Sequence, residues 1–570
     1  MKFNFYNVLF LGFAALSVTS CDQLKELSYS TTPNPLELHG DSVAITVTVN
    51  IPPKGIKKKV SAEITPMLGD IKLTTWKIQG EKVTGNGQTI AFKPGGTATF
   101  TETVAYNSSM EAADLKLTGK VFKGTKEKTK EALPETKLAD ATIITPLLVQ
   151  PTFKMLTETA TIPRSFEKSV SAEVNYLKGK SDVRAAEMKD KDVTDLVAWI
   201  QTAQTNPKIK INSIDVKGYA SPDGEETFNN NLSGARSKAT RTAFMNLMKK
   251  SKLTMYADTT NYVTAALGED FEGFKVELER TAGIPQNDKD LFLRVLTMSA
   301  DPKQREKDLV ALGKGFTQLE KEVFPKIRRA VIVVNYTEQG LSDDELRAKA
   351  DASPAEMSAD ELIFTASTLV KDLATQGKIY DAAALAYPSD VRALNNAGAV
   401  AYMQGNVSKA KTNLEKALNV KDNSKTKNNL AGVAMSQGDR ATAKKMLSQV
   451  KDKSAEVSYN NAVIMILEGK YSTAATACGS EASFNKALAQ LLNGNLDDAS
   501  KTLSSSKDKD SADGYYLKAI IAARSNAGVD AVVSNLKSAI SKDKKYKEKA
   551  SKDREFIKFM SDASFSAAVN

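Results

Sequence analysis

The chain has 570 residues, 41% hydrophobic and 26% charged, with a formal net charge of +10. So long a chain exceeds a single hydrophobic core and asks for three or four domains, and a near-average composition excludes global disorder. The 78 basic residues are mixed with 68 acidic ones, with no arginine-rich stripe or nucleic-acid module, so no nucleic-acid partner is expected.

At the N-terminus, Lys2 precedes an apolar run of 11 residues, 8–18. That is too short to span a bilayer as a helix but suits the core of a signal peptide. Val18-Thr19-Ser20-Cys21 follows, small residues ahead of a cysteine. This resembles the lipobox of bacterial lipoproteins. The resemblance implies a signal peptide over 1–20, cleavage before Cys21, and acylation of Cys21 as the anchor in outer-membrane lipid. The periplasmic face is the expected location, and 21–34 reads as a lipidated tether.

From 35 to 150 the pattern is that of strands. Val43, Ile45, Val47 and Val49 alternate with smaller or polar residues, the period-2 signature of a half-buried strand. Trp76-Lys77-Ile78 leads through Val83 to Asn86-Gly87, a hairpin-turn dipeptide, and Thr89-Ile90-Ala91-Phe92 is expected to answer it. Thr97, Thr99, Thr101 and Thr103 line one face of a further strand. An antiparallel β-sandwich is predicted, carrying no chemistry.

Over 161–340 strands and helices mix. Residues 192–203 form an amphipathic helix with Val193, Leu196, Val197 and Ile200 on one side. Ile209, Ile211, Ile214 and Val216 make a strand ending at Gly218, 232–248 a second helix, and 331–334 a last strand. Between strand and helix stand Gly218-Tyr219-Ala220-Ser221-Pro222-Asp223-Gly224 and Phe228-Asn229-Asn230-Asn231-Leu232-Ser233-Gly234-Ala235-Arg236. This stretch resembles the OmpA-like peptidoglycan-binding domain, in which such a turn opens a helix. The resemblance implies an α/β fold that binds peptidoglycan through Ser221, Asp223, Asn229, Ser233 and Arg236. Arg236 would grip a stem-peptide carboxylate. The family's turn aspartate is Ser221 here, with Asp223 two residues on.

From 358 to 570 the chain reads as helical repeats. Gly405, Gly438, Gly469 and Gly494 each close an apolar helix, at spacings of 33, 31 and 25. Ala410, Ala443, Ala474 and Ala499 stand five positions after them, and Leu414, Leu447, Cys478 and Leu503 nine after. Small residues let paired helices approach, and larger ones fill the space between. The pattern resembles tetratricopeptide repeats, which implies an all-α solenoid whose concave surface docks a protein partner. Asn395, Asn396, Asn428, Asn429, Asn460 and Asn461 recur in the first helices as docking candidates, since an amide both donates to and accepts from a backbone. Because each repeat contacts mainly its neighbours, the solenoid is expected to fold by itself.

No nucleophile elbow, phosphate loop or zinc set occurs, and His39 is the chain's only histidine, so neither catalytic residues, nor a metal, nor a cofactor is expected. Cys478 at a repeat core position reads as an inert thiol. Two functions follow. One is an envelope lipoprotein tethering outer membrane to peptidoglycan and presenting a protein-docking solenoid. The alternative is a scaffold of an outer-membrane or surface complex whose OmpA-like domain does not bind peptidoglycan.

Overall fold

The computed structural model describes residues 23–298 and 301–570. It has two units: Met1–Thr159 with Pro354–Asn570, and Ala160–Ser353. The β region and the helical repeats therefore share one unit, interrupted in sequence by the other.

In the β region, Ser42–Ile51 is the central strand of one sheet. It pairs antiparallel with Ser28–Thr32 and Leu36–His39 on one edge and Gly96–Ala105 on the other. The second sheet runs Lys126–Glu127, Leu115–Lys123, Val60–Leu68, Trp76–Gly80, Gln88–Ile90. Alternation turns Val43, Ile45, Val47 and Val49 inward against Ile64, Ile78, Leu117 and Val121. Thr99 and Thr101 stay outside and pair across strands with Thr48 and Thr46, both at 3.2 Å.

Two expectations fail here. The described part of the expected 21–34 tether, from residue 23 on, is not a plain tether: Leu24 is buried and Ser28–Thr32 is a sheet strand. Nor do Trp76–Gly80 and Gln88–Ile90 form a hairpin; they pair in parallel. The Gln79 side chain organises the loop between them. Its Nε2 donates to the Val83 carbonyl and Thr89 Oγ1, and its Oε1 accepts from Gly87 N–H at 3.1 Å. Asn86-Gly87 thus serves a wide loop around a buried amide and not a two-residue turn.

The second unit is a four-stranded sheet in the order Ser165–Asn175, Arg329–Gln339, Ile209–Ala220, Tyr262–Glu269. The last strand, absent from the sequence reading, pairs parallel to Ile209–Ala220. A register shift between Ile211 and Ser213 lets odd-numbered isoleucines and the even-numbered Ile214 and Val216 share one strand. Helices Lys191–Thr205 and Glu226–Lys250 cover one face through Val193, Leu196, Ile200, Phe244 and Met248. The segment between strands Tyr262–Glu269 and Arg329–Gln339 folds around Phe274, Phe292, Leu319 and Phe324.

The C-terminal region stacks helical hairpins, among them Val391–Met403 with Val407–Val420, Ser424–Ser436 with Arg440–Ser448, Ala455–Leu467 with Tyr471–Ala477, and Phe484–Leu492 with Leu496–Ser505. Gly405, Gly438, Gly469 and Gly494 adopt φ between +76° and +84°, the left-handed turn that ends the first helix of each pair. Ala410, Ala443, Ala474 and Ala499 are fully buried where the helices meet. The solenoid does not stand apart from the β region. Arg440 forms a bidentate pair with Asp41 at 2.7 and 2.8 Å, the His39 ring meets Tyr471 edge-on at 5.2 Å, and the Thr145 hydroxyl donates to Glu555.

Candidate functional site

Two sets of residues drew a functional reading from the sequence, and each lies within its own unit. In the α/β unit, the Glu226–Lys250 helix follows the strand end closely because Gly218 has no Cβ; any Cβ there would collide with the Ser233 carbonyl. This brings Ser221, Asp223, Asn229, Ser233 and Arg236 together. It also closes the space between them.

Arg236 is 1% exposed. Its guanidinium donates to three backbone carbonyls: Tyr219 at 2.8 Å, Lys180 at 3.0 Å and Leu177 at 3.2 Å. It lies 5.1 Å from the centre of the Tyr176 ring. Burial, with the Arg328 charge nearby, pushes the guanidinium down to about 10. Asp223 is held by Arg328 at 2.9 Å and Lys178 at 3.1 Å and accepts from the Ser221 hydroxyl, which itself accepts from Arg328 Nε at 3.1 Å. Burial opposes the Asp223 charge, yet these partners keep its carboxyl below the usual range. The Asn229 amide donates to the Ser221 and Gly224 carbonyls and to Glu269. Ser233 Oγ donates to the Asn230 carbonyl and accepts from Gly268 N–H. A carboxylate-gripping Arg236 does not match this arrangement, because its donors are spent on the unit's own backbone. A neighbouring cleft of about 550 Å³ is lined by Tyr219, Asp270, Phe271, Glu277, Arg280 and Arg329, and by none of the five candidates.

The asparagines form the second set. Asn395, Asn396, Asn428, Asn429 and Asn460 are fully buried, and so is Asn485, which the sequence reading missed. They stand on the first helices of successive hairpins and hold a strap of the same chain, residues 150–158. Asn396 accepts from Glu158 N–H and donates to its carbonyl, both at 2.7 Å. Asn429 does the same for Leu156, both at 2.8 Å. Asn460 takes Lys154 at 2.7 and 2.8 Å, and Asn485 takes Gln150 at 2.9 Å in both directions. One amide thus satisfies both backbone groups of a residue, as a neighbouring strand would. Asn395 and Asn428 add a second donor to the Leu156 and Lys154 carbonyls, each at 3.0 Å, and link the clamps laterally.

The register was present in the sequence. Asn396, Asn429, Asn460 and Asn485 each stand nine positions before the turn glycine of their hairpin. Asn461 is eight before, out of phase, and its amide turns back to the Val457 carbonyl of its own helix.

Side chains complete the strap's fit. Phe153 is 5% exposed and enters the solenoid core. Met155 and Phe153 crowd Gly432, where a Cβ would come 3.0 Å from Phe153 Cβ and closer still to Met155. Lys154 sits 4.9 Å from the Tyr459 ring centre and pairs with Glu481 at 2.6 Å, and Glu158 pairs with Lys425 at 2.8 Å. Cys478 is buried in a repeat core, which pushes its thiol up to about 11, and Cys21 lies outside the described residues. Among the described residues no group of three or more metal-ligating side chains gathers, and no helix is long and apolar enough to cross a membrane.

No protein-family model and no curated protein matches the chain. Among solved structures, it is similar to a tetratricopeptide repeat protein from Parabacteroides merdae, with 14% identity over 40% of this chain and 91% of that one and a TM-score of 0.27. It is also similar to yeast Tom70, with 13% identity over 68% of this chain and 83% of that one and a TM-score of 0.24. Both scores are too low to define a shared fold, and the solenoid rests on its own helical hairpins.

Proposed function

We propose that this chain is a non-enzymatic scaffold lipoprotein of the outer membrane, anchored through Cys21, whose tetratricopeptide-type solenoid docks protein and whose OmpA-like unit does not bind peptidoglycan. The observation that carries the docking role is the asparagine ladder, which holds a polypeptide in extended form by its backbone. That is the chemistry of protein recognition and not of a reaction. Against a peptidoglycan tether stands Arg236, whose donors face three carbonyls of its own unit.

The full chain is therefore expected to remain in the supernatant when insoluble peptidoglycan sacculi are sedimented, and so is Ser221→Asp. Co-sedimentation of the wild-type chain would restore the tether. The anchor has a separate test. Cys21→Ser should move the protein from the membrane pellet to the soluble fraction, and a variant that still pellets without detergent would refute lipidation as the anchor.

A further inference from the structure

The ladder reads backbone at alternate residues and leaves side-chain selectivity to a few positions. Lys154, Leu156 and Glu158 are each clamped at N–H and carbonyl by successive hairpins. Alternating with the first two, Phe153 just before Lys154 and Met155 just after it pack into the solenoid, with Gly432 making room. Glu158 ends the motif on Lys425 and on Asn423, whose amide donates to it at 3.2 Å. The groove is thus built for an aromatic residue, a methionine two positions on, and an acid three further.

The strap that fills it is not part of a sheet or helix. Its hydrogen bonds to the helical repeats cross 238 to 363 positions of sequence. Pro151 offers no N–H, and the clamps skip from Lys154 to Gln150, so the strap's upstream half is held more sparsely than its downstream half. Its occupancy is sustained by tethering, which for a short linker supplies an effective concentration in the millimolar range.

We infer that the strap is a displaceable ligand in cis: the resting protein is closed, and an extended segment of a partner protein with the aromatic–x–methionine–x–x–acid pattern opens it by replacing 150–158 in the groove. This deepens the docking role proposed above and rests on it, but membrane anchoring plays no part in its test.

The probe is a fluorescent peptide with the sequence of residues 149–160, offered to the full chain. Wild type should bind it at least tenfold more weakly than the chain carrying Phe153→Ser, Met155→Ser and Glu158→Ala, in which the cis strap is weakened. Adding Asn429→Ala to that triple variant should lower peptide affinity again by at least tenfold. Equal binding by wild type and the triple variant, or no binding by a triple variant that keeps wild-type helicity and a cooperative melt, would overturn the inference. Should the triple variant fail to fold, the wild-type chain decides alone. Excess unlabelled peptide should speed hydrogen exchange at the Lys154, Leu156 and Glu158 amides at least tenfold while leaving those of the Ser42–Ile51 strand unchanged. Unchanged exchange at all three strap amides would sink the proposal.

Discussion

The surroundings of Arg236 and the asparagine ladder are alike in chemistry and opposite in consequence. Both are polar sets that sequence reading assigns to a ligand, and in both the donors are saturated inside the chain. Arg236 is saturated by carbonyls 17 to 59 residues before it, that of Tyr219 in the Ile209–Ala220 strand and those of Leu177 and Lys180 in the turn that follows the Ser165–Asn175 strand. The asparagines are saturated by a strap outside every regular element. The first arrangement cannot be undone without unfolding the unit, while the second can be undone by moving one segment. Saturation alone therefore does not separate a structural polar cluster from a binding site; what matters is whether the partner can leave.

Removing each set should expose the difference. Arg236→Ala strands three buried carbonyls and removes a buried side chain, and should destabilise the α/β unit by about 3–5 kcal/mol in chemical denaturation. Arg236→Lys should recover only a fraction of this, because one ammonium cannot reach three carbonyls set for a planar fork. If Arg236→Ala melts like wild type, the distinction drawn between the two regions breaks.

Asn429→Ala should cost less, about 2–3 kcal/mol, because only the Leu156 N–H is left without a partner: Asn395 still donates to the Leu156 carbonyl, Asn395 and Asn428 keep other bonds, and the strap can retreat toward water. Its mark should be local: faster exchange at the Leu156 amide with little change in the α/β unit. Asn461→Ala, out of phase by one position, should stay within about 0.5 kcal/mol of wild type. A larger loss there than at Asn429 would refute the nine-residue register as the rule for the clamps.

That register explains how much was legible. The turn glycines, the small residues five positions on and the core residues nine on all follow from helical periodicity, which is local, and the strand alternation from Val43 to Val49 is equally local. Asn485 carries the same phase signal as Asn396, but pairing asparagines by adjacency selected Asn461 in its place. The strap carried no signal at all. Residues 151–160 alternate weakly, contain Pro151, and fall between the predicted domains, because their order comes from groups over 230 positions away. The parallel pairing of Gln88–Ile90 was hidden for the same reason: the Gln79 amide, and not the Asn86-Gly87 dipeptide, decides the loop. For Arg236 the motif placed the residue correctly on its helix, but no local pattern reports that Leu177 and Lys180 would present carbonyls to it.

A third polar cluster lies where the solenoid meets the β region and anchors the strap's upstream end. Arg524 grips Glu555 through Nε at 2.8 Å and a terminal nitrogen at 2.6 Å, and Glu555 also accepts from Thr145, five residues before the strap. Beside it Asp553 accepts from the Tyr516 hydroxyl at 2.6 Å. Burial and the neighbouring Glu555 charge raise the Asp553 carboxyl from 3.8 to about 6, with Tyr516 and Lys549 opposing only in part. A carboxyl whose folded value lies above its unfolded value takes up a proton on folding. Stability should therefore rise as the pH falls from 7 through 6, and the gain should level off near pH 4, where the unfolded chain also binds the proton. Between pH 7 and pH 5 the expected gain is about 1 kcal/mol. Asp553→Asn should remove the pH dependence that this group contributes while keeping the hydrogen bond to Tyr516. The measurement is the difference between wild type and Asp553→Asn in denaturation midpoints across that window, which cancels every other titrating group. A difference that stays flat from pH 7 to pH 5 would place the Asp553 carboxyl in its ordinary range.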